Sequence, residues 1–272
     1  MRLVRDLMHP GLVTCRPETT LGQAAVLLTQ HRFHSLIVAD GEGRPLGILT
    51  DFDLLAAEWL STDDESLQVM RKMTAGELMT TPIDTIGANE PASVAAERMH
   101  SSGISRLMVT EGGNPVGVIS VSDLVASLVR QGTVARATVA DVMSRAYLVC
   151  RDTTPVASVA RGMTDARYRS VLVVNDRGQV LGVVSGLDLI AYCREEGCGE
   201  GTAAQVMHPA LTIHPTASLR EAADKMIDHH HHRLVVVDPS EQEAMPLGII
   251  SSYDIVAEMA QPGSVWRANA RG

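Results

Sequence analysis

The chain has 272 residues, 45% of them hydrophobic and 20% charged, with aromatics at only 3%. That is enough apolar material for a packed core built from Val, Leu, Ile, Ala and Met rather than from rings. A formal charge of −9 argues against a protein that coats phosphate backbones, so no nucleic-acid partner is expected, although a local cationic spot can still hold a small anion.

The opening stretch MRLVRDLMHPGLV has no apolar segment long enough for a signal peptide. No run approaches the ~20 apolar residues that a membrane span needs. Cys15, Cys150, Cys193 and Cys198 form neither a C-x-x-C pair nor a disulfide-rich spacing. A soluble cytoplasmic protein with reduced thiols is the expectation.

Read in chain order, the sequence repeats itself four times. A lead-in ends in DLM at Met8, ELM at Met79, DVM at Met143 and QVM at Met207. A second anchor follows each: GILTDFD from Gly47, GVISVSD from Gly117, GVVSGLD from Gly182 and GIISSYD from Gly248. Between the anchors, apolar or small residues recur at i, i+3, i+4 and i+7. They are Leu21, Ala24, Ala25 and Leu28, then Ala92, Ala95, Ala96 and Met99, then Val156, Val159, Ala160 and Met163, then Leu219, Ala222, Ala223 and Met226. That spacing predicts a helix with one buried stripe, and the small mid-stripe residues predict close packing against a neighbouring backbone.

The apolar, β-branched runs SLIVA, RLMVT, SVLVV and RLVVV come next. The turns DGEGRP, EGGNP, NDRGQ and DPSEQEAMP lead into a second strand at the glycine, which predicts a β-hairpin. LLAAEWL, LVASLV, LIAYC and IVAEM then predict a second helix. Each unit is thus a lead-in, strand, helix, strand, strand and helix, in the order 1–60, 73–131, 137–195 and 201–261, with a tail at 262–272. Units this small struggle to bury their apolar faces alone, so pairing is expected.

Two features suggest the pairing. The stretch from Asp53 to Met79 is longer than its equivalents and contains the polar STDDES at 61–66, expected to be a solvated loop. Repeats 2 and 4 place Arg106 and Arg233 at the head of the apolar run, where repeats 1 and 3 place Ser35 and Ser170. A period of two repeats implies modules at 1–132 and 133–261, with a boundary near Gly132.

The chemistry-bearing motif is [ST]-x-x-D at the second helix: Thr50 and Asp53, Ser120 and Asp123, Ser185 and Asp188, Ser251 and Asp254. One reading is a helix N-cap with a carboxylate in the first turn, where the dipole favours it. The other is a ligand site, since a helix start offers free N–H groups to an anion, the hydroxyl adds a donor, and the carboxylate can accept from a vicinal diol such as a ribose. Asp in all four copies is a narrower choice than capping requires.

These units resemble CBS domains, named for cystathionine β-synthase, in two tandem pairs of the Bateman type. The resemblance covers nearly all of residues 1–260 and rests on Gly-h-h-[ST]-x-x-Asp within the same element order, four times over. It implies an α/β (α+β) fold, with repeats paired by pseudo-twofold symmetry and adenosine-containing ligands in clefts between them: AMP, ADP or ATP, with S-adenosylmethionine or NAD as further candidates. It assigns the ribose hydroxyls to the four aspartates and phosphate to Thr50, Ser120, Ser185 and Ser251. It places Thr14, Thr85, Thr212 and, in repeat 3, Val149 near the adenine.

The chain departs from many family members in having no cation between the hydroxyl and the Asp. In repeat 1 that place holds Asp51, which should repel a phosphate. HRLVVVD at His232 to Asp238 resembles the segment of the AMP-activated kinase gamma subunit that supplies a phosphate-contacting His and Arg. By that resemblance His232 and Arg233 face phosphate, with Arg106 equivalent to Arg233, and His34 and Arg169 equivalent to His232. A solvated strand end is the alternative for the arginines. His229 to His231 fall near a helix C-terminus, where positive charge is favourable. Adjacent extended residues point to opposite faces, so a helix end or loop is expected there rather than a zinc site.

No Walker loop, G-x-S-x-G, H-E-x-x-H or kinase signature is present. No catalytic residue, no metal and no required cofactor are therefore expected. The expectation is a regulatory sensor of adenosine-containing ligands that modulates an effector protein in trans, and a homodimer is compatible with the family. The competing readings are a scaffold whose clefts bind nothing and a nucleotide hydrolase.

Overall fold

The computed structural model describes residues 2–31, 33–59, 68–69, 72–131, 137–196, 201–238 and 245–261. STDDES at 61–66, the boundary at Gly132, Cys198, most of the DPSEQEAMP turn and the tail lie outside the described residues. Each repeat has the predicted order of strand, helix, hairpin and helix. In every repeat the short first strand runs parallel to the first hairpin strand, as Thr14–Cys15 does to Ser35–Ala39, and the hairpin closes antiparallel. The helical stripes are buried as the spacing predicts: Ala95, Ala96, Met99, Ala160, Met163, Ala222 and Ala223 are essentially inaccessible.

The helices pack into two compact units. The first comprises residues 1–12, 84–146 and 211–272, and hence repeats 2 and 4; the second comprises 13–83 and 147–210, and hence repeats 1 and 3. These packed units do not coincide with segments 1–132 and 133–261. In the first, Ala92–Ser102 and Val121–Gln131 pack on Leu219–Asp228 and Ser252–Ala260, and one core draws Met99, Leu107 and Leu124 together with Leu234, Ile255 and Val256. In the second, Asp51–Trp59 packs on Val156–Ala166 and Gly186–Glu196. Leu55 of repeat 1 is buried in the core of repeat 3, and Ile190 of repeat 3 in the core of repeat 1. The close helix approach that the mid-stripe alanines predict is therefore contact with another repeat.

The lead-ins are exchanged, which the sequence did not announce. His9–Pro10, from the lead-in of repeat 1, forms the edge strand of repeat 2 against Asn114–Ser120, with His9 opposite Val118. The lead-in of repeat 2 returns the exchange through the bridge between Thr80 and Ile48 of repeat 1. Repeats 3 and 4 do the same, through Ser144 with Ile249 and His208 with Val183.

This exchange explains the repeat glycine. A Cβ on Gly182 would stand 2.6 Å from the His208 carbonyl oxygen, and one on Gly248 would stand 2.6 Å from that of Ser144. Only a residue without a side chain lets the crossing backbone lie this close.

Candidate functional site

The four [ST]-x-x-D motifs fold alike. The second helix begins one residue after the hydroxyl, so the Asp lies in the first turn. In repeat 1 the Thr50 amide and hydroxyl both donate to Asp53 Oδ2, at 2.8 and 2.7 Å, and the Asp53 amide donates back to Thr50 Oγ1 at 3.2 Å. Ser120 with Asp123, Ser185 with Asp188 and Ser251 with Asp254 repeat the arrangement. Each motif is thus a reciprocal helix cap, and its local hydrogen bonds use one carboxylate oxygen, Oδ2. The capping alternative describes the local geometry, and it leaves Oδ1 of each Asp as the oxygen not used by the cap.

The hairpin register brings the alternating Arg/Ser position to this cap. Arg106 stands opposite Ser120 and Arg233 opposite Ser251, while Ser35 faces Thr50 and Ser170 faces Ser185. His232 Nδ1 of repeat 4 lies 3.1 Å from Ser122 Oγ, inside the motif of repeat 2 in the same unit. His34 Nδ1 lies 2.7 Å from Asp51 Oδ2. The carboxylate expected to repel phosphate is thereby paired with the imidazole expected to attract it. Arg169 is exposed just ahead of its strand.

Thr14, Thr85, Val149 and Thr212 all project outward from the first strand, where their neighbours Cys15, Ile86 and Ile213 turn inward. Val149 is 45% exposed, and beside it repeat 3 has a cavity of about 380 Å³ lined by Leu148, Cys150, Ser158, Val171 and Val174. Burial pushes the Cys150 thiol up to about 11, so the cavity carries no thiolate near neutral pH. His229 caps the helix Leu219–Asp228, and His230 adopts a positive φ of 55°. Among the described residues no group of three His, Cys, Asp or Glu side chains could hold a metal, and no helix is long and apolar enough to cross a membrane.

Two residues outside the [ST]-x-x-D motif, and not expected from the sequence, touch the caps. His9 Nε2 is 2.8 Å from Asp123 Oδ1, and His208 Nδ1 is 3.3 Å from Asp188 Oδ2. The available signal was the tripeptide Met-His-Pro, present at Met8 and again at Met207. Its meaning depends on the exchange of lead-ins.

The carboxylates differ accordingly. Burial raises Asp188, but hydrogen bonds from His208 and Ser185 outweigh it and hold the carboxyl below its ordinary value. At Asp254 burial prevails over the hydrogen bonds from Ser251 and the charge of Arg233, so the carboxyl sits above its ordinary value. The linkage signs are therefore opposite. Asp188 contributes stability above its unfolded value that is lost as pH falls through its lowered folded value. The contribution of Asp254 is present at low pH and lost as pH rises through its raised one. Carboxyl-carbon NMR titration should show Asp254 protonating first on acidification and Asp188 well after it; the reverse order would contradict this account.

Comparison with known proteins places the fold and the family. The crystal structure of protein MJ1225 from Methanocaldococcus jannaschii superposes with a TM-score of 0.83 at 18% identity, over 94% of this chain and 99% of that one. Protein MJ1404 of the same organism is 27% identical over 201 residues, 72% of this chain and 46% of its own length. Inosine-5′-monophosphate dehydrogenase of Mycobacterium tuberculosis is 34% identical over 114 residues, 42% of this chain but 20% of that enzyme. The chain spans about half the length of MJ1404 and 63% of protein MK0525 of Methanopyrus kandleri. The CBS domain model matches at residues 4–59, 75–130, 139–195 and 203–261, and with nearly the whole described chain so accounted for, the protein belongs to the CBS domain family.

Proposed function

We propose that the chain is a regulatory sensor that binds adenosine-containing ligands of the AMP, ADP or ATP type at its cap motifs. The observation that carries this reading is the fourfold recurrence of one arrangement: first-turn amides, a hydroxyl and a carboxylate held together at a helix start. A helix start favours phosphate, and the spare carboxylate oxygen can accept from a ribose diol. In repeats 2 and 4 a guanidinium across the hairpin supplies the cation missing from the motif itself. Thr14, Thr85, Thr212 and Val149 flank the base. S-adenosylmethionine and NAD present the same nucleoside and belong in the same screen.

Signalling then follows by population shift: a ligand that binds one arrangement of the repeats more tightly favours it, and a partner protein in trans reads the outcome. A homodimer would offer a further surface for that output. The reciprocal caps favour a second reading, because they account for the motif without any ligand, and a scaffold would need nothing more.

Calorimetric titration with AMP, ADP, ATP, NAD and S-adenosylmethionine separates the two. Sensing predicts heat with at least one of them. Asp254→Ala and Arg233→Ala are each expected to weaken binding about tenfold or more, as loss of a charge-assisted hydrogen bond does. Far-UV circular dichroism should show the fold retained. No heat with any compound favours the scaffold.

A further inference from the structure

The residue after each lead-in methionine is His9, Thr80, Ser144 or His208, and all four hold one structural position. They lie opposite Val118, Ile48, Ile249 and Val183, the residue following each repeat glycine. The position therefore sits on the sheet of the exchange partner, next to that repeat's cap. Where the residue is His, its ring reaches the cap carboxylate. Ser120 uses Oδ2 of Asp123 through its amide and hydroxyl, and His9 uses the other oxygen. In repeat 4 the corresponding Ser144 hydroxyl donates instead to the Ala146 carbonyl at 2.9 Å, within its own lead-in.

We infer that His9 and His208 divide the four proposed diol-binding positions into two classes: Asp123 and Asp188 carry an imidazole beside the carboxylate, whereas beside Asp53 and Asp254 the same position is held by Thr80 and Ser144. This rests on the proposed function. At Asp123 the imidazole takes Oδ1, the oxygen the cap leaves unused, so a ribose hydroxyl can engage repeat 2 only by displacing the ring; at Asp188 the ring stands 3.3 Å from Oδ2, the cap oxygen, and a ribose must bind beside it. His9 is built to yield: its side chain is 80% exposed over an Asp that is only 9% exposed. Its backbone stays in the sheet, where Gly11 N donates to the Val116 carbonyl. The ring can therefore rotate away without unpairing the strand. His208 is more enclosed, at 34%, and its contact is the longer of the two, 3.3 Å, and to the cap oxygen. The lowered carboxyl at Asp188 and the raised one at Asp254 agree with this division.

The test is calorimetry with AMP and with 2′,3′-dideoxy-AMP on the full chain and on His9→Ala, His208→Ala and the double variant. The double variant is expected to bind AMP at additional sites, or at least tenfold more tightly at sites already filled. The gain should be absent for the dideoxy compound and abolished by adding Asp123→Asn and Asp188→Asn. If the full chain binds AMP and the double variant binds it identically or more weakly, this inference fails while the sensor reading stands. If the full chain shows no heat but the double variant binds, the inference is supported. If neither binds, both readings fall. Should the alanine variants fold poorly, His9→Thr and His208→Thr, which copy Thr80, provide the same comparison.

Discussion

Gly182→Val is expected to destabilise the chain by about 2–4 kcal/mol in urea unfolding, through overpacking and the loss of two backbone hydrogen bonds. The added atoms meet the carbonyl of His208 at 2.6 Å and the Met207 side chain at 3.1 Å. Backbone cannot rotate aside as a side chain can, so the lead-in must leave. With it go the hydrogen bonds from Val183 N to His208 O, 2.9 Å, and from His208 N to Val183 O, 3.1 Å. His208 should move away from Asp188 at the same time, and the lowered carboxyl should rise toward its ordinary value in an NMR titration.

Gly162→Ala is the control. It lies inside the helix Val156–Ala166, and its added methyl meets only Leu148 Cδ2, at an ordinary 3.7 Å. Relief of glycine's chain entropy there should stabilise the protein by about 0.5–1 kcal/mol. Equal effects from the two substitutions would mean that the crossing lead-in does not impose the glycine.

Leu55→Ala is expected to cost about 2–5 kcal/mol, the range for a buried leucine whose cavity only partly collapses. Leu55 is completely buried, and it lies in the core of repeat 3 with Val156, Val159, Met163 and Leu189. Its Cδ2 is 3.6 Å from where a Cβ on Gly186 would stand. The diagnostic measurement is hydrogen exchange. Amides of Ser170–Val174 in repeat 3 should lose protection along with those of Ser35–Ala39 in repeat 1. Loss confined to repeat 1 would show that the two repeats do not share a cooperative core.

Much of the fold was legible because its determinants are local and repeated. The i, i+3, i+4, i+7 stripe around Ala95, Val159 or Ala222 can only be a helix face, and four copies in one frame average out the ambiguity of any single one. The [ST]-x-x-D cap was equally legible, since a hydroxyl and a carboxylate three residues apart at a helix start satisfy each other through local geometry alone. Less legible was the partner of each piece. Apolar faces are complementary to many surfaces, so the stripe that buries Ala95 does not say whether its neighbour comes from repeat 1, 3 or 4.

By itself, then, the sequence determined the repeat, the order of elements, the cap and the membership of the CBS domain family. Those follow from periodicity and short-range hydrogen bonding, which adjacent residues encode directly. Only the tertiary structure decided that repeats 2 and 4 share one core, that repeats 1 and 3 each bury one side chain, Leu55 and Ile190, in the other's core, that each lead-in crosses to a different repeat, and that Met-His-Pro delivers an imidazole to Asp123 and Asp188. The physical reason is distance along the chain. His9 and Asp123 meet through a backbone pairing between segments far apart in sequence, and that pairing is fixed by which surfaces fit once the helices are packed.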